Sequence, residues 1–143
     1  MVAKDITYNQ VKEAIKIAFD KDEKLKLYYD PNVKVESIDE IISDVTRKVA
    51  TYMSKVKWKG IYEGNNIIGY FVYTDKQLIS FGLNIEYRQR KYLRSFFALI
   101  RTELGKGFCC WLHSVNIRGV RWLQKNGMII TKSNHLLTQL TCQ

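Results

Sequence analysis

Residues 78–115, LISFGLNIEYRQRKYLRSFFALIRTELGKGFCCWLHSV, decide the fold of this chain. Apolar and β-prone side chains over residues 78–85 predict a strand. Apolar residues then recur every three or four positions across residues 90–104, which predicts a helix that Gly105 ends. A further strand is predicted over residues 108–115. A strand, a helix and a strand in this order indicate that part of the sheet is parallel.

Two more strands precede this stretch and predict an antiparallel meander. They cover residues 56–62 and 67–73, and the short segments 63–66 and 74–76 have the composition of turns. Short turns join antiparallel neighbours, whereas parallel neighbours need a long crossover. The sheet is therefore predicted to be mixed and mostly antiparallel.

The N-terminal part of the chain is predicted to contain a short strand and two helices. Residues 2–6 have the composition of a strand, and residues 7–10, TYNQ, match a capping box that precedes apolar residues at helical spacing. Residues 20–36 alternate charged residues with tyrosine and proline, which predicts a loop. A second capping box, SIDE at residues 37–40, begins the clearest helix, over about residues 38–54.

The C-terminal part is predicted to add one helix and two strands. Asn116 can cap a short helix, which Gly127 ends. Residues 128–131 and 136–141 have the composition of closing strands. The predicted order is β-α-α-β-β-β-α-β-α-β-β, an α/β (α+β) class in which helices flank a central sheet, in a single domain over residues 1–143.

Charge is distributed unevenly along the chain. The net charge is +9, but residues 1–44 carry 7 basic and 10 acidic side chains, whereas residues 45–143 carry 16 basic and 4 acidic ones. No acidic residue follows Glu103. A basic half of this kind attracts phosphate, nucleic acid or an acidic partner, and scattered lysines also serve plain solubility.

Cysteine usage and hydropathy point to a protein of a cytosol-like compartment. The longest apolar run, residues 67–73, is far shorter than the roughly 20 residues of a membrane-spanning helix. Lys4 and Asp5 lie where a signal peptide needs apolar residues. No C-x-x-C or H-E-x-x-H spacing is present, so we expect reduced thiols, no metal site and a cytoplasmic location. There are three cysteines: Cys109, Cys110 and Cys142.

Three pieces of the sequence together resemble the GNAT-fold N-acetyltransferase superfamily. Residues 85–88, IEYR, are similar to the family's Pro-Glu-Tyr-Arg, and residues 116–128, NIRGVRWLQKNGM, are similar to Asn-x-x-Ala-x-x-Leu-Tyr-x-x-x-Gly-Phe. The helix predicted at residues 90–104 falls where the family has its acetyl-CoA-binding helix. The resemblance implies the GNAT fold, acetyl-CoA as the cofactor and an amine as the acceptor. It also implies a gap between the strands at 78–85 and 108–115, because the pantetheine arm of CoA needs one.

The segment that corresponds to the family's pyrophosphate loop departs from the family pattern. The family has Arg/Gln-x-x-Gly-x-Gly/Ala, and this chain has RQRKYL at residues 88–93, so Lys91 and Leu93 fill the two small positions. A side chain there narrows the approach of phosphate to backbone N–H groups, although the segment keeps its positive charge. The alternative is a solvated basic helix start. The resemblance implies the following cofactor-binding residues: Leu83, Ile85, Arg88, Gln89, Arg90, Lys91, Tyr92, Leu93 and Asn116.

The resemblance implies that an amine attacks the acetyl carbonyl directly, without a covalent enzyme intermediate. Candidates for the base, by position, are His113 and Glu86, with Ser80 as a third. A lone histidine is more often a satisfied or exposed side chain, and the family counterpart of Glu86 is usually a surface residue. The family often has a tyrosine that protonates the CoA thiolate, and here Leu123 stands in its place and cannot donate a proton.

A narrower resemblance is to the small acetyltransferase-like internal virion proteins of short-tailed phages, which also have leucine at this position and a glycine-poor loop. It implies an alternative function: a catalytically degenerate accessory protein, in a virion or host cytoplasm, that acts through protein partners. A third hypothesis, a nucleic-acid binder that uses residues 88–132, ranks last because motifs for base readout are missing.

Overall fold

The computed structural model describes residues 1–33, 35–50 and 55–143. The predicted helix at 38–54 is present as Ile38–Ala50, and the predicted last turn, 51–54, lies outside the described residues. The helices are α1 (Tyr8–Phe19), α2 (Leu25–Tyr28), α3 (Ile38–Ala50), α4 (Arg90–Leu104) and α5 (Ile117–Lys125). The strands are β1 (Val2–Asp5), β2 (Lys57–Glu63), β3 (Asn66–Thr74), β4 (Gln77–Leu83), β5 (Cys109–His113), β6 (Met128–Ser133) and β7 (Leu137–Cys142).

The strands of the described residues form one sheet in the order β1-β2-β3-β4-β5-β7-β6. Neighbours are antiparallel except β4 and β5, which run parallel. The long connection between these two strands is α4, as a parallel pair requires. The predicted mixed, mostly antiparallel sheet is thus confirmed.

Apolar helix faces cover the sheet on both sides and create two cores. On one side, α1 and α3 bury residues such as Ala14, Ile15 and Ile41 against Tyr70 and Val72 of β3. On the other side, α4 and α5 bury a second set, which includes Phe96, Ile100 and Leu123. Both predicted capping boxes form at the starts of α1 and α3. The Thr7 N–H donates to the Gln10 side chain at 2.8 Å, and the Ser37 N–H donates to the Glu40 side chain at 2.7 Å.

A β-bulge interrupts β4 and positions the site. Tyr73 of β3 pairs with Leu78, but the next residue, Val72, pairs with Ser80, so Ile79 is an extra residue in β4. Ile79 and Ser80 consequently both face the α1–α3 side: Ile79 packs on that core, and the Ser80 hydroxyl lies 2.8 Å from the Tyr70 hydroxyl. A bulge bends its strand and increases the local twist. Beyond this bend, β4 no longer follows β5.

The structure corrects three predictions. Residues 20–36 are not all loop, because Leu25 packs on the α1–α3 core and α2 forms a helical turn there. The strand predicted through residue 85 ends at Leu83, since the Asn84 side chain accepts a hydrogen bond from the Glu86 N–H and begins a 3₁₀ turn. An aromatic residue within a strand is also expected to lie in the core, but Trp111 of β5 is 37% exposed.

Candidate functional site

A cavity of about 640 Å³ lies where β4 and β5 separate. The two strands pair only at Gln77–Cys109 and Leu78–Cys110. We call the space between residues 79–83 of β4 and 111–113 of β5 the slot. Side chains from both faces of the sheet line it, Tyr29 and Tyr70 from the α1–α3 side and Phe96 and Trp122 from the α4–α5 side. The expected gap between these strands is therefore confirmed.

The backbone of β4 presents polar groups to the slot. The Asn84 N–H donates to the Ile68 carbonyl of β3 at 2.7 Å. Because hydrogen-bond direction alternates along an antiparallel strand, the backbone groups of Leu83 point away from β3. The Leu83 carbonyl accepts from Arg88, which leaves the Leu83 N–H on the side of the slot. Ile85 lies in the following 3₁₀ turn, is 40% exposed and does not line the slot.

A second cavity, of about 520 Å³, lies between α4 and α5. Its charged lining residues are all basic: Arg90, Arg94 and Lys125. We call this space the basic cleft. Leu93 and Trp122 line both the basic cleft and the slot, so the two cavities are neighbours that these two side chains separate.

The first turn of α4 adds backbone donors next to the basic cleft. The first intrahelical hydrogen bond runs from the Leu93 N–H to the Gln89 carbonyl, at 2.9 Å. The N–H groups of Arg90, Lys91 and Tyr92 precede it and have no partner within the helix. The partial positive charge of a helix N-terminus and the three cations of the basic cleft both favour an anion.

Lys91 and Leu93, which stand where the resembled family has small residues, are placed differently. The Lys91 ammonium lies 4.8 Å from the centre of the Tyr92 ring, and Lys91 lines neither cavity. Leu93 projects between the slot and the basic cleft. Gln89 is exposed, and its side chain donates to the Glu86 carbonyl. Of the two side chains that replace small residues, Leu93 therefore borders the passage between the two cavities and Lys91 does not.

Arg88 is held by protein groups. Its Nε donates to the Leu83 carbonyl at 2.7 Å, its Nη1 to Asp22 at 2.8 Å and its Nη2 to the Ala18 carbonyl at 3.2 Å. Arg118 binds both carboxylate oxygens of Asp22, at 3.1 and 3.0 Å. The Arg88–Asp22–Arg118 cluster ties the segment after α1 to the end of β4 and the start of α5.

The Asp22 carboxylate is enclosed, since its side chain is 1% exposed. Burial alone raises the pKa of a carboxyl group, but the hydrogen bonds from Arg118 and Arg88 outweigh it and lower the pKa of Asp22. The cluster thus stays charged at neutral pH. Sequence reasoning missed Asp22 and Arg118, which lie 96 positions apart and carry no local signal of their contact.

His113 is placed in the slot with a carboxylate partner. Its Nε2 lies 3.2 Å from Oδ2 of Asp30, and both residues line the slot. Asp30 also accepts hydrogen bonds from the Asn32 N–H at 2.9 Å and from Lys48 at 3.1 Å. Burial opposes the charge of Asp30, but these two hydrogen bonds outweigh it and lower its pKa. Sequence reasoning had no signal for Asp30, which it placed in a loop.

Lys48 extends this network toward α3. It bridges Asp30 to Asp44, whose Oδ2 is 2.9 Å from the Lys48 ammonium. Asp44 is buried and also accepts a hydrogen bond from the Tyr29 hydroxyl, which burial and Asp44 together keep neutral by raising its pKa. Asp30 and Lys48 on the α1–α3 side of the slot are thus connected to the buried Asp44 behind them.

The remaining candidates occupy different environments. Glu86 is exposed in the 3₁₀ turn and does not line the slot, whereas Ser80 lines it with its hydroxyl on Tyr70. Asn116 also lines the slot, and its side chain caps α5 by accepting from the Gly119 N–H at 3.0 Å. Leu123 is fully buried in the core.

Trp122, next to Leu123, faces the slot. Its ring stacks on Phe96 with the ring centres 5.4 Å apart. The indole Nε1 is buried and has no hydrogen-bond partner within the described part of the chain. A buried donor without a partner is costly unless a bound molecule accepts from it.

The described residues contain no metal site, no disulfide and no membrane-spanning helix. No group of three or more His, Cys, Asp and Glu side chains is arranged to hold a metal ion in residues 1–33, 35–50 and 55–143. The three cysteines are free. Over the same residues, no helix has the length and apolar character needed to cross a bilayer.

Solved structures of acetyltransferases superpose on nearly the whole chain. An acetyltransferase from Thermus thermophilus gives a TM-score of 0.69 at 10% identity, over 99% of this chain and 96% of the other. An acetyl transferase from Salmonella typhimurium, which modifies the N-terminal serine of a 50S ribosomal subunit protein, gives 0.67 at 10% identity, over 99% and 92%. A PaiA N-acetyltransferase from Thermoplasma acidophilum, in complex with coenzyme A, gives 0.62 at 14% identity, over 99% and 97%.

These likenesses show the fold, which is that of the GNAT N-acetyltransferases, as the sequence resemblance implied. No protein-family model matches the sequence, and no curated protein sequence matches it. The fold is therefore established by three-dimensional similarity at low sequence identity.

Proposed function

We propose, from this acetyltransferase fold, that the chain binds acetyl-CoA from the α4–α5 side of the sheet and transfers the acetyl group to an amine that enters from the α1–α3 side. The slot is the observation that carries the proposal. It passes between two parallel strands, side chains of both faces line it, and it borders the basic cleft. Two molecules can therefore meet within the sheet, where both are shielded from water.

The residues of the basic cleft fit the anionic end of CoA. Arg90, Arg94 and Lys125 present three positive charges, and the first turn of α4 presents backbone donors beside them. Arginine and helix N-termini are both suited to phosphate. Arg88 is bound to Asp22, so we assign it to holding the fold around the slot rather than to phosphate.

The slot fits the remainder of the cofactor. Leu83 offers a backbone N–H to an amide of the pantetheine arm, and the buried Nε1 of Trp122 offers a donor that is otherwise unpartnered. Acetyl-CoA, when bound, supplies a thioester carbonyl that an amine can attack. Asn116 and Leu93 border this path, Asn116 at the start of α5 and Leu93 at the passage from the basic cleft.

His113 is the proposed proton acceptor for the amine. It lies on the slot, its imidazole is 31% exposed, and its Nε2 faces a carboxylate. Glu86 is outside the slot and Ser80 is bonded to Tyr70, so neither is as well placed. Leu123 is in the core, and the departing thiolate therefore takes its proton from solvent.

Calorimetry with acetyl-CoA tests the proposal. We expect one site per chain in the wild type, and about 100-fold or greater weakening in the double variant Arg90→Ala/Arg94→Ala, because charge-assisted hydrogen bonds contribute about 1.5–3 kcal/mol each. Arg121→Ala is the matched control, since Arg121 is exposed on α5 and lines neither cavity. Absence of heat and of any thermal shift at millimolar acetyl-CoA would overturn the proposal.

A second candidate function is favoured by the departures from the family pattern. Leu93 narrows the passage between the cavities, Arg88 is bound within the protein, and Leu123 replaces the tyrosine. A GNAT-fold accessory protein of a phage or virion that acts through protein partners would need no cofactor. It predicts no acetyl-CoA binding by the wild type, gain of binding by Leu93→Gly, and a stoichiometric protein partner in pull-downs from native or infected lysate.

A further inference from the structure

We propose that Asp30 is a positioning residue that holds His113 in one tautomer, with the proton on Nε2, so that Nδ1 is free to accept the proton of the acceptor amine. This inference rests on the proposed function and adds to it a residue and a specific nitrogen atom. In the reaction, the N–C bond to the acetyl group forms and the C–S bond breaks with its electron pair on sulfur. The amine proton passes to Nδ1 of His113, and solvent later removes it.

The contact with Asp30 favours one tautomer of His113. The Nε2 atom faces the Asp30 carboxylate across 3.2 Å, and because a carboxylate only accepts hydrogen bonds, this contact favours a proton on Nε2. In a neutral imidazole the other nitrogen then has a lone pair. The tautomer of a catalytic histidine is commonly fixed by the hydrogen bond of the nitrogen that does not react.

Asp30 is itself fixed, as a positioning residue must be. Its side chain is 10% exposed, and it is bound by the Asn32 N–H and by Lys48. The histidine is fixed from the other side, because its backbone pairs with Leu137 in the β5–β7 ladder. The segment after α2 and the strand β5 thus meet at this contact, on the α1–α3 side of the slot.

Nuclear magnetic resonance of the full chain reads the tautomer directly and needs no acceptor. The chain has two histidines, and His135, exposed between β6 and β7, serves as the internal reference. In ¹⁵N-labelled wild type we expect the neutral His113 to be protonated on Nε2 only, with assignment by loss of its signals in His113→Gln. In Asp30→Ala we expect a mixture of both tautomers. His135 should not change, and neither histidine should change in the control Asp39→Ala, at an exposed site on α3.

Kinetics on a panel of primary amines, followed by thiol release, test whether Asp30 acts through His113. We expect His113→Gln to lower kcat/KM about 100-fold or more, as loss of a general base does, and Asp30→Ala to lower it less, about tenfold, because the imidazole remains. Asp30→Ala should add nothing in the His113→Gln background, because a residue that acts through another loses its effect when that one is gone.

The possible failures are distinguishable. A wild-type His113 protonated on Nδ1, an unchanged tautomer in Asp30→Ala, or additive kinetic effects of the two variants would each overturn the role of Asp30. If these occur while acetyl-CoA binds and amines are acetylated, the proposed function stands without it. If acetyl-CoA does not bind the wild type, the proposed function fails and the proton-acceptor role fails with it.

Discussion

Two groups of cationic side chains lie near the start of α4, and only one of them is bound to a carboxylate. Arg88 and Arg118 converge on the enclosed carboxylate of Asp22, within 3.1 Å. Arg90, Arg94 and Lys125 face the basic cleft, whose lining contains no acidic residue. In the sequence the two groups are not separate, because Arg88 lies in the same basic stretch, residues 88–94, as Arg90 and Arg94. The difference shows that partners in the fold, rather than charge in the sequence, decide which cations remain available to a ligand.

The largest expected effect is on stability, at the Arg88–Asp22–Arg118 cluster. Asp22→Asn leaves two arginines around a neutral amide, so we expect a loss of about 3 kcal/mol of unfolding free energy. Urea unfolding measures it. Asp20→Asn is the control, since Asp20 lies in the same segment but is exposed. A loss below about 0.5 kcal/mol in Asp22→Asn would mean that the cluster does not hold the segment after α1 in place.

Acidification should remove the stability that the buried carboxylates, including Asp22, contribute in the wild type. The pKa values of Asp22, Asp30 and Asp44 are lowered in the folded chain. Groups of this kind contribute stability above the unfolded carboxyl value of about 3.9, and this stability is lost as pH falls through the folded values. Urea midpoints at pH 7, 5 and 3.5 should fall mainly in the last step. The fall should be smaller in Asp22→Asn, and an equal fall would contradict the assignment.

The arginines of the basic cleft should affect the affinity for acetyl-CoA rather than the stability of the fold. Arg94→Ala is expected to weaken acetyl-CoA binding about tenfold, as one lost charge-assisted hydrogen bond does. Its unfolding free energy should stay within about 0.5 kcal/mol of the wild type. Arg88→Ala should show the reverse, with a large loss of stability. Calorimetry and urea unfolding of both variants, side by side, decide whether the two groups differ as described.

Leu93 stands between the two cavities and should have a moderate effect. Leu93→Ala removes methyl groups from the passage, and we expect acetyl-CoA binding to strengthen several-fold. The same change removes partly buried apolar surface, so unfolding free energy should fall by about 1 kcal/mol. Unchanged or weaker binding, with the loss of stability, would show that Leu93 packs the site rather than narrowing it.

The smallest expected effect is at Lys91, the other filled position of the loop. Its ammonium lies on the Tyr92 ring and the residue lines neither cavity. Lys91→Ala should change acetyl-CoA affinity less than about twofold, since it loses only a screened charge interaction with the ligand. A tenfold loss in calorimetry would place Lys91 with the available cations.

Local patterns were sufficient for most of the fold. Capping residues and helical spacing located α1, α3, α4 and α5, and α4 has the predicted bounds, residues 90–104. The bulge at Ile79 could not be predicted, because Ile79 and Ser80 are ordinary strand residues and the extra position shows only against β3. Likewise, α2 forms because Leu25 finds a core to pack on, which the charged sequence around it does not reveal.

The site was predictable only in part, for a related reason. His113 was a candidate from its place near a strand end, and Leu83 was a candidate from the family resemblance. Asp30 and Asp22 did not, because each is defined by a partner from a distant segment, 66 positions away for Asp22 and Arg88. Such pairings arise when the chain folds and leave no trace in local composition.

Because of the bulge, the number of residues in β4 determines the site more than the identity of any one side chain does. Because Ile79 and Ser80 both face the α1–α3 side, deletion of Ile79 would restore strict alternation along β4 without moving any later residue to the other face. Phe81 and Leu83 would still face α4 and Gly82 would still face α1, but the bend that separates β4 from β5 would be lost. A one-residue insertion or deletion here could therefore create or abolish the opening through the sheet, a change that no single substitution would reproduce.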